Sequence, residues 1–148
     1  MSREEINKLC DQYNIQNYTI NDDGSIDVDG DVDLSKKGLT ELPLKFNYIS
    51  GDFNCAYNKI TDLTGYPKNI GGNTFIRTGL IGNPIRSIIS GVVLTTNDNR
   101  EFLQILNTYK VIKGDTVHLN RLKYTLSIFD KKINVEWVNR IKKHYKVI

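Results

Sequence analysis

Cysteine is scarce, with only Cys10 and Cys55 in 148 residues. Two thiols are too few for a disulfide scaffold or a thiolate metal site. Long apolar runs are missing too, and none approaches the roughly 18 residues of a membrane helix. The opening Met1-Ser2-Arg3-Glu4-Glu5 lacks the apolar h-region of a signal peptide. Histidine is limited to His118 and His144, neither in an H-x-x-x-H pair nor near a cysteine. The chain carries no G-x-S-x-G elbow, Walker loop or dinucleotide fingerprint. These absences speak against a secreted knot, a membrane protein, a zinc finger and most enzymes. They predict a soluble cytoplasmic protein that is not an enzyme and uses no metal or cofactor.

The composition is that of a globular domain, with 39% hydrophobic and 25% charged residues. A chain of this size buries most of its apolar surface without staples. The net charge of +3 conceals a polarity: residues 1–74 carry 7 basic and 12 acidic side chains, residues 75–148 carry 13 and 5. Such a split suits two surfaces with different partners, a head-to-tail attraction within the fold, or mere solubility.

Ser2 and Glu5 have capping-box spacing, and Ile6, Leu9, Cys10 and Tyr13 form one apolar stripe, so a helix is predicted to end near Asn14. Tyr18–Ile20 and Ile26–Val28 flank turn chemistry around Gly24 and read as a hairpin. From Ile26 to Leu34 the pattern alternates, with Ile26, Val28, Val32 and Leu34 on one face and Asp27, Asp29, Asp31 and Asp33 on the other.

A 21-residue repeat follows, opened by Gly30, Gly51 and Gly72. Its columns are Asp31/Asp52/Asn73, Val32/Phe53/Thr74, Leu34/Cys55/Ile76, Leu39/Ile60/Ile81 and Leu42/Leu63/Pro84, with Ile49 and Ile70 closing the first two units. Apolar columns at a fixed period are what a stacked solenoid needs, because one coil cannot bury its own apolar face. The second unit, Phe53-x-Cys55-x-x-Asn58-x-Ile60-x-x-Leu63, has leucine-rich-repeat spacing. The Asn58 position is held by Lys37 in the first unit and Gly79 in the third, so no continuous asparagine ladder is expected.

Residues 51–72, Gly51-Asp-Phe53-Asn-Cys55-Ala-Tyr-Asn58-Lys-Ile60-Thr61-Asp-Leu63-Thr-Gly65-Tyr-Pro67-Lys68-Asn-Ile70-Gly71-Gly72, closely match the unit G-G-x-F-x-C-x-x-N-x-L-T-x-L-x-G-x-P-K-x-V. In this the stretch from Tyr18 to Pro84 resembles the short leucine-rich-repeat-like proteins encoded by tailed bacteriophages. Residues 23–32 resemble that family's entry hairpin. The resemblance implies a phage accessory protein in the cytoplasm of an infected bacterium that binds and disables a host factor. The expected fold is α+β: about two and a half repeat units in a short β-solenoid within one domain, 1–148. Residues 1–29 form a helix-hairpin cap, 30–85 the repeats and 86–148 a mainly helical cap.

In the second half, Ile88, Ile89, Val92, Val93 and Leu94 make an apolar stretch around Gly91. A helix is predicted from near Asn97, with Asp98 and Glu101 at capping-box spacing and Phe102, Ile105, Leu106 and Tyr109 as its stripe. Val111–Val117 reads as a hairpin around Gly114-Asp115, and Asn120 as the cap of a helix turning Leu122, Leu126 and Phe129 inward. The stretch 134–148 is helical by Val135, Val138, Ile141 and Tyr145, with Val147-Ile148 open to being a strand.

Asp27, Asp29 and Asp31 have the D-x-D-x-D spacing of a calcium loop, but Val32 stands where that loop needs Gly and Gly38 where it needs Glu. The solvent face of a strand is the simpler account. That acidic face could meet a basic partner. The outward strand positions Asp31, Asp33, Asp52, Asn54, Asn73, Phe75 and Arg77 form the candidate protein-binding face, with Tyr57 and Tyr66 from the loops. Phe75 beside Arg77 has hot-spot composition, the alternative being that Phe75 packs under the C-terminal cap. The expected partner is a bacterial host protein. An alternative surface is nucleic-acid binding through Arg121, Lys123, Lys131, Lys132, Arg140, Lys142 and Lys143, with Tyr124, Trp137 and Tyr145 nearby. A third is sequestration of a small nucleotide signal by residues such as Arg77 and Arg86.

Overall fold

A computed structural model describes residues 1–73, 79–89 and 96–148, with backbone alone for 96–100. Within these residues lie an α+β arrangement of three small sheets and five helices. No helix is long and apolar enough to cross a membrane. The chain divides into two compact units, Met1–Lys59 with Thr64–Asn83, and Ile60–Leu63 with Pro84–Ile148.

The first unit begins with helix α1 (Arg3–Gln12), whose N-cap Ser2 accepts the Glu5 N–H at 3.2 Å. Ile6 and Cys10 are buried from its stripe, while Leu9 and Tyr13 are half-buried. Ile15, which the helical stripe does not include, is buried as well. Strands β1 (Tyr18–Ile20) and β2 (Ile26–Val28) form the expected antiparallel hairpin, with Tyr18 opposite Val28. In its turn the Asp23 carboxylate accepts the Ser25 N–H at 2.9 Å and hydroxyl at 2.6 Å.

Among the described residues every later pairing in this unit is parallel. Strands β2, β4 (Phe46–Ile49) and β6 (Asn69–Ile70) join β1 in the order β1-β2-β4-β6. Strands β3 (Val32–Asp33) and β5 (Phe53–Asn54) form a second sheet. The register reproduces the sequence period: Val28 faces Ile49, Ile49 faces Ile70, and Val32 faces Phe53. The ladder opens with Ile26 opposite Phe46, and after a register shift the 21-residue spacing starts at Asp27 opposite Tyr48, ahead of Gly30. Side chains alternate from Ile26 to Leu34 and from Phe53 to Cys55, so Ile26, Val28, Val32, Leu34, Phe53 and Cys55 are buried, while β4 buries both of its ends, Phe46 and Ile49, next to a register shift after Ile26. Phe53 meets Phe46 and Tyr66 edge to face, with ring centroids 5.3 and 5.4 Å apart.

Gly51 and Gly72 are required by close approach rather than by turn geometry. A Cβ at Gly51 would lie 2.7 Å from the Gly30 carbonyl oxygen, and one at Gly72 would lie 2.6 Å from that of Gly51. The same carbonyls accept the Gly51 and Gly72 N–H groups at 2.9 Å. Successive periods touch backbone to backbone there, and a side chain would hold them apart.

The asparagine column departs from expectation. Asn58 is buried, and its amide donates to the carbonyls of Leu34 (2.8 Å) and Cys55 (2.9 Å). Its Oδ1 accepts the N–H groups of Lys37 (2.9 Å) and Leu39 (3.1 Å). Asn83, not position 79, does the corresponding work one period on: it is buried and donates to the Cys55 carbonyl at 2.8 Å. The third unit therefore holds four more residues between its opening polar residue and its asparagine than the second does. The last two columns shift accordingly. Asn83-Pro84-Ile85-x-x-Ile88 restates Asn58-Lys59-Ile60-x-x-Leu63, and Ile85 and Ile88 are the buried members, not Ile81 and Pro84. Thr74 and Ile76 of the remaining columns lie outside the described residues.

The second unit contains helices α2 (Arg86–Ile89), α3 (Thr96–Thr108), α4 (Leu119–Ile128) and α5 (Val135–Lys142). It also holds the sheet β7-β8-β9, made by Ile112–Lys113, Thr116–Val117 and Lys146–Val147. Its core includes Ile60, Leu63, Ile85, Ile88, Phe102, Leu106, Leu122, Leu126, Trp137 and Ile141. Trp137 donates its indole N–H to the Ser87 carbonyl at 3.0 Å, and the Tyr145 hydroxyl donates to the Thr61 carbonyl.

The hairpin β7-β8 forms where Gly114-Asp115 predicts it, and the chain end is a strand, β9, parallel to β8. Helix α3 covers Thr96–Thr108, in agreement with a start near Asn97, and its suggested capping side chain Asp98 lies outside the described side chains. Val92, Val93 and Leu94 also lie outside the described residues. Helix α4 is capped by His118 rather than Asn120, with Nδ1 facing the Arg121 N–H at 3.5 Å. Tyr109 and Val135 are exposed rather than inward: Tyr109 follows the last residue of α3 and Val135 is the first of α5.

Candidate functional site

The outward strand positions of the first unit come together, but most of their polar atoms are engaged. The Asp31 carboxylate accepts the Asp52 N–H at 2.7 Å. One period on, Asp52 accepts the Asn73 N–H at 2.8 Å and its side-chain amide at 3.1 Å. Asp33 accepts the Ser35 N–H at 2.9 Å and hydroxyl at 2.6 Å, and Asn54 accepts the Ala56 N–H at 3.0 Å. These are Asx-type turns that bend the chain out of each short strand. The Ser35 bonds hold the Asp33 carboxyl below the usual range. Asp29 accepts the Ser50 hydroxyl at 3.0 Å, and Asp27 accepts the Asn47 amide at 2.7 Å. Among the described residues no group of His, Cys, Asp and Glu is arranged to hold a metal ion. Phe75 and Arg77, the aromatic-basic pair singled out from the sequence, lie outside the described residues.

Tyr57 is different. Its backbone is left-handed, with φ of 57°, a conformation uncommon for an aromatic residue. The strain is held in place: its N–H donates to the Ile81 carbonyl at 2.6 Å, and a Cβ at Gly82 would meet the Tyr57 ring at 3.0 Å. The side chain is nevertheless 59% exposed, with the Lys36 ammonium 5.7 Å from the ring centre. Tyr48, on β4, is 42% exposed and was not singled out by alternation. It could have been, as Phe46 and Ile49 bracket the central strand and leave one outward aromatic. Tyr66 is only half-buried, but its hydroxyl is enclosed without a hydrogen-bond partner among the described residues.

Both cysteines are core residues. Burial pushes the Cys55 thiol up to about 12, and its sulfur lies 2.7 Å from the Gly79 carbonyl oxygen. Burial also raises the Cys10 thiol. Neither suits thiolate chemistry.

In the second unit the predicted basic residues are distributed over several elements. Arg121 and Lys123 sit on α4 two residues apart, which turns them to different sides of the helix. Lys131 and Lys132 follow that helix, Arg140 and Lys142 lie on α5, and Lys143 is its C-cap. Arg121 lines a cleft of about 420 Å³ shared with Lys110, Lys113, Thr116 and His118. It also walls a smaller hollow of about 230 Å³ with Tyr109, Asn120 and Tyr124. Lys110, Lys113 and Tyr109 escaped the sequence reading because they come from the end of α3 and from β7, far from the basic C-terminal stretch. Trp137 and Tyr145 are buried and unavailable for stacking. Arg86 opens α2, and its Nη1 is enclosed without a hydrogen-bond partner among the described residues.

In comparisons with family models, with curated proteins and with solved structures, the chain matches none.

Proposed function

We propose that the first unit is a short leucine-rich-repeat-like solenoid of the kind encoded by tailed bacteriophages. On this reading the protein is a non-enzymatic binding module that sterically inhibits a bacterial host defence or regulatory protein in the infected cell's cytoplasm. Support for the solenoid comes from the 21-residue parallel register, the glycine contacts between periods and the buried Asn58. Support for protein binding comes chiefly from Tyr57, an aromatic side chain held rigid in a strained backbone and still open to solvent. A rigid exposed aromatic loses little entropy on docking and fits the composition of interface hot spots. The acidic strand positions of the same unit add electrostatic selection for a basic target surface.

The test is capture of a partner from nuclease-treated bacterial lysate by the tagged chain, washed at high salt and identified by mass spectrometry. Tyr57→Asn is the informative variant, because asparagine tolerates the left-handed backbone and removes only the ring. A hot-spot ring should cost at least ~2 kcal/mol, about 30-fold in affinity for the captured protein. Unchanged capture by Tyr57→Asn overturns the assignment of the interface. No salt-resistant protein partner at all overturns the inhibitor reading.

A further inference from the structure

We infer that the second unit carries a site for single-stranded nucleic acid, built from the Arg121 cleft and the Tyr109–Tyr124 pair. The inference is independent of the repeat face, since every residue in it belongs to the second unit.

The electrostatics come first. Lys113 on β7, Thr116 on β8 and Lys146 on β9 are direct cross-strand partners, so they share one face of that sheet. Lys113 and Thr116 line the cleft together with Lys110, His118 and Arg121, over a floor that includes the apolar Val111 and Ile148. The Arg121 guanidinium donates through Nη1 to the Lys110 carbonyl at 3.3 Å, which fixes its plane and leaves the rest of its five-donor fork for a phosphate. Among the described residues the salt bridge found is Lys45–Asp23, in the other unit, and none is found at Lys110, Lys113, Arg121 or Lys146. The nearest acidic member of the hairpin, Asp115, accepts the Thr116 hydroxyl at 3.3 Å.

The second component is aromatic. Asn120, Arg121 and Tyr124 lie at helical spacing on one side of α4. Tyr124 meets Tyr109 edge to face with centroids 5.5 Å apart, and the two rings are 57% and 42% exposed. A T-shaped pair open to solvent presents a ring face on which a base can stack. Arg121 is the common wall of the cationic cleft and the aromatic hollow. Phosphate and base therefore have adjacent sites around one guanidinium. Duplex bases are already stacked inside the helix and cannot reach such a platform, so the matching ligand is a single strand.

The test uses the full chain and fluorescein-labelled oligo-dT and oligo-U, read by anisotropy between about 50 and 200 mM salt. Wild type should bind both, with affinity falling steeply with salt at a slope of about 0.7 per phosphate contacted. Tyr124→Ala should weaken binding about 5- to 150-fold, the range for loss of one base–aromatic stack, while Tyr124→Phe should bind like wild type. Lys113→Gln should weaken both oligonucleotides equally and reduce the salt slope by one contact. Both positions are exposed, and circular dichroism confirms that each variant is folded. Failure of wild type to bind at low salt overturns the inference. So do binding that ignores Tyr124→Ala, which would indicate a purely acidic ligand, and equal competition by mononucleotides, which would indicate a small-molecule pocket. None of these outcomes bears on Tyr57.

Discussion

Replacing Asn58 by alanine should cost the fold about 3–4 kcal/mol, far more than an ordinary polar-to-alanine change. The magnitude follows from what the side chain holds. Its amide is a hydrogen-bond donor to the carbonyl of Leu34, itself fully buried, and losing that donor leaves an orphan acceptor worth roughly 1–3 kcal/mol. The Cys55 carbonyl suffers less, because Asn83 still donates to it at 2.8 Å. The N–H groups of Lys37 and Leu39 lie on residues reached by water, so each loss counts about 0.5–1 kcal/mol. The void left by the truncated amide adds up to about 1 kcal/mol. For a chain of this size the total lowers the melting temperature by very roughly 6–16 °C.

The assay is urea denaturation followed by circular dichroism, with Asn54→Ala as the internal control. Asn54 accepts one N–H, that of Ala56, at a half-exposed position, so its loss should stay near 0.5–1 kcal/mol. Asn58→Asp sharpens the test. It keeps the acceptor for Lys37 and Leu39 but aims a carboxylate at the Leu34 and Cys55 carbonyls, which disfavours ionisation in the fold. The aspartate would have a raised folded-state pKa, so its penalty should be small at acid pH and grow as pH rises above the unfolded value of about 3.9. A loss of less than about 1 kcal/mol in Asn58→Ala, or one equal to that of Asn54→Ala, would refute the bridging role.

Three further outcomes follow from the same structure. Gly51→Ala should destabilise by about 2–4 kcal/mol, because the added methyl meets the Gly30 backbone at 2.7 Å; Gly24→Ala, in open space with φ of +83°, should cost only about 1 kcal/mol, both read by urea denaturation. Hydrogen bonds from Ser25, aided by Lys45, hold the Asp23 carboxyl at about 2. Its folded pKa lies below the unfolded value, so its contribution is present above about pH 4 and lost as pH falls toward 2, and Asp23→Asn should flatten that part of the denaturation midpoint's acid dependence. Neither cysteine should react with a thiol reagent at pH about 8 until the chain unfolds, since both are buried with raised pKa values; rapid native labelling of either would contradict the core assignment.

Where burial and period decided the outcome, the sequence was legible. Alternation from Ile26 to Leu34 gave the buried and exposed faces correctly, because one face of each strand packs on Phe46 and Phe53. The 21-residue period reappears as strand register. What failed was strict counting. Four extra residues before Asn83 hide its equivalence to Asn58, and a column read at fixed spacing lands on Gly79, Ile81 and Pro84 instead. The signal that could have recovered it is the recurrence of N-x-I with a second aliphatic residue three positions on. In the second unit, helix ends decided the errors. His118 displaced Asn120 as cap, and Tyr109 fell beyond the end of α3. Basic composition likewise pointed to the chain end, while the cations that share a cleft come from the turn after α3, from β7 and from α4.

The polar residues of the repeat explain why a binding face is hard to read from a periodic sequence. Alternation identifies side chains that point outward, but it does not separate those that fasten one period to the next from those that do not. Asp31, Asp52 and Asn73 occupy outward positions, yet Asp31 and Asp52 use their carboxylates to hold the backbone one period on. Asp33 and Asn54 use theirs to turn the chain. A partner that bound these atoms would have to compete with bonds the fold already needs, and would gain correspondingly little. Tyr48 and Tyr57 have no such duty: their rings stand in solvent on a backbone that other residues hold in place. Binding energy is therefore most available at the positions that break the repeat's polar pattern, and those are the residues at which a substitution should affect a partner and spare the fold.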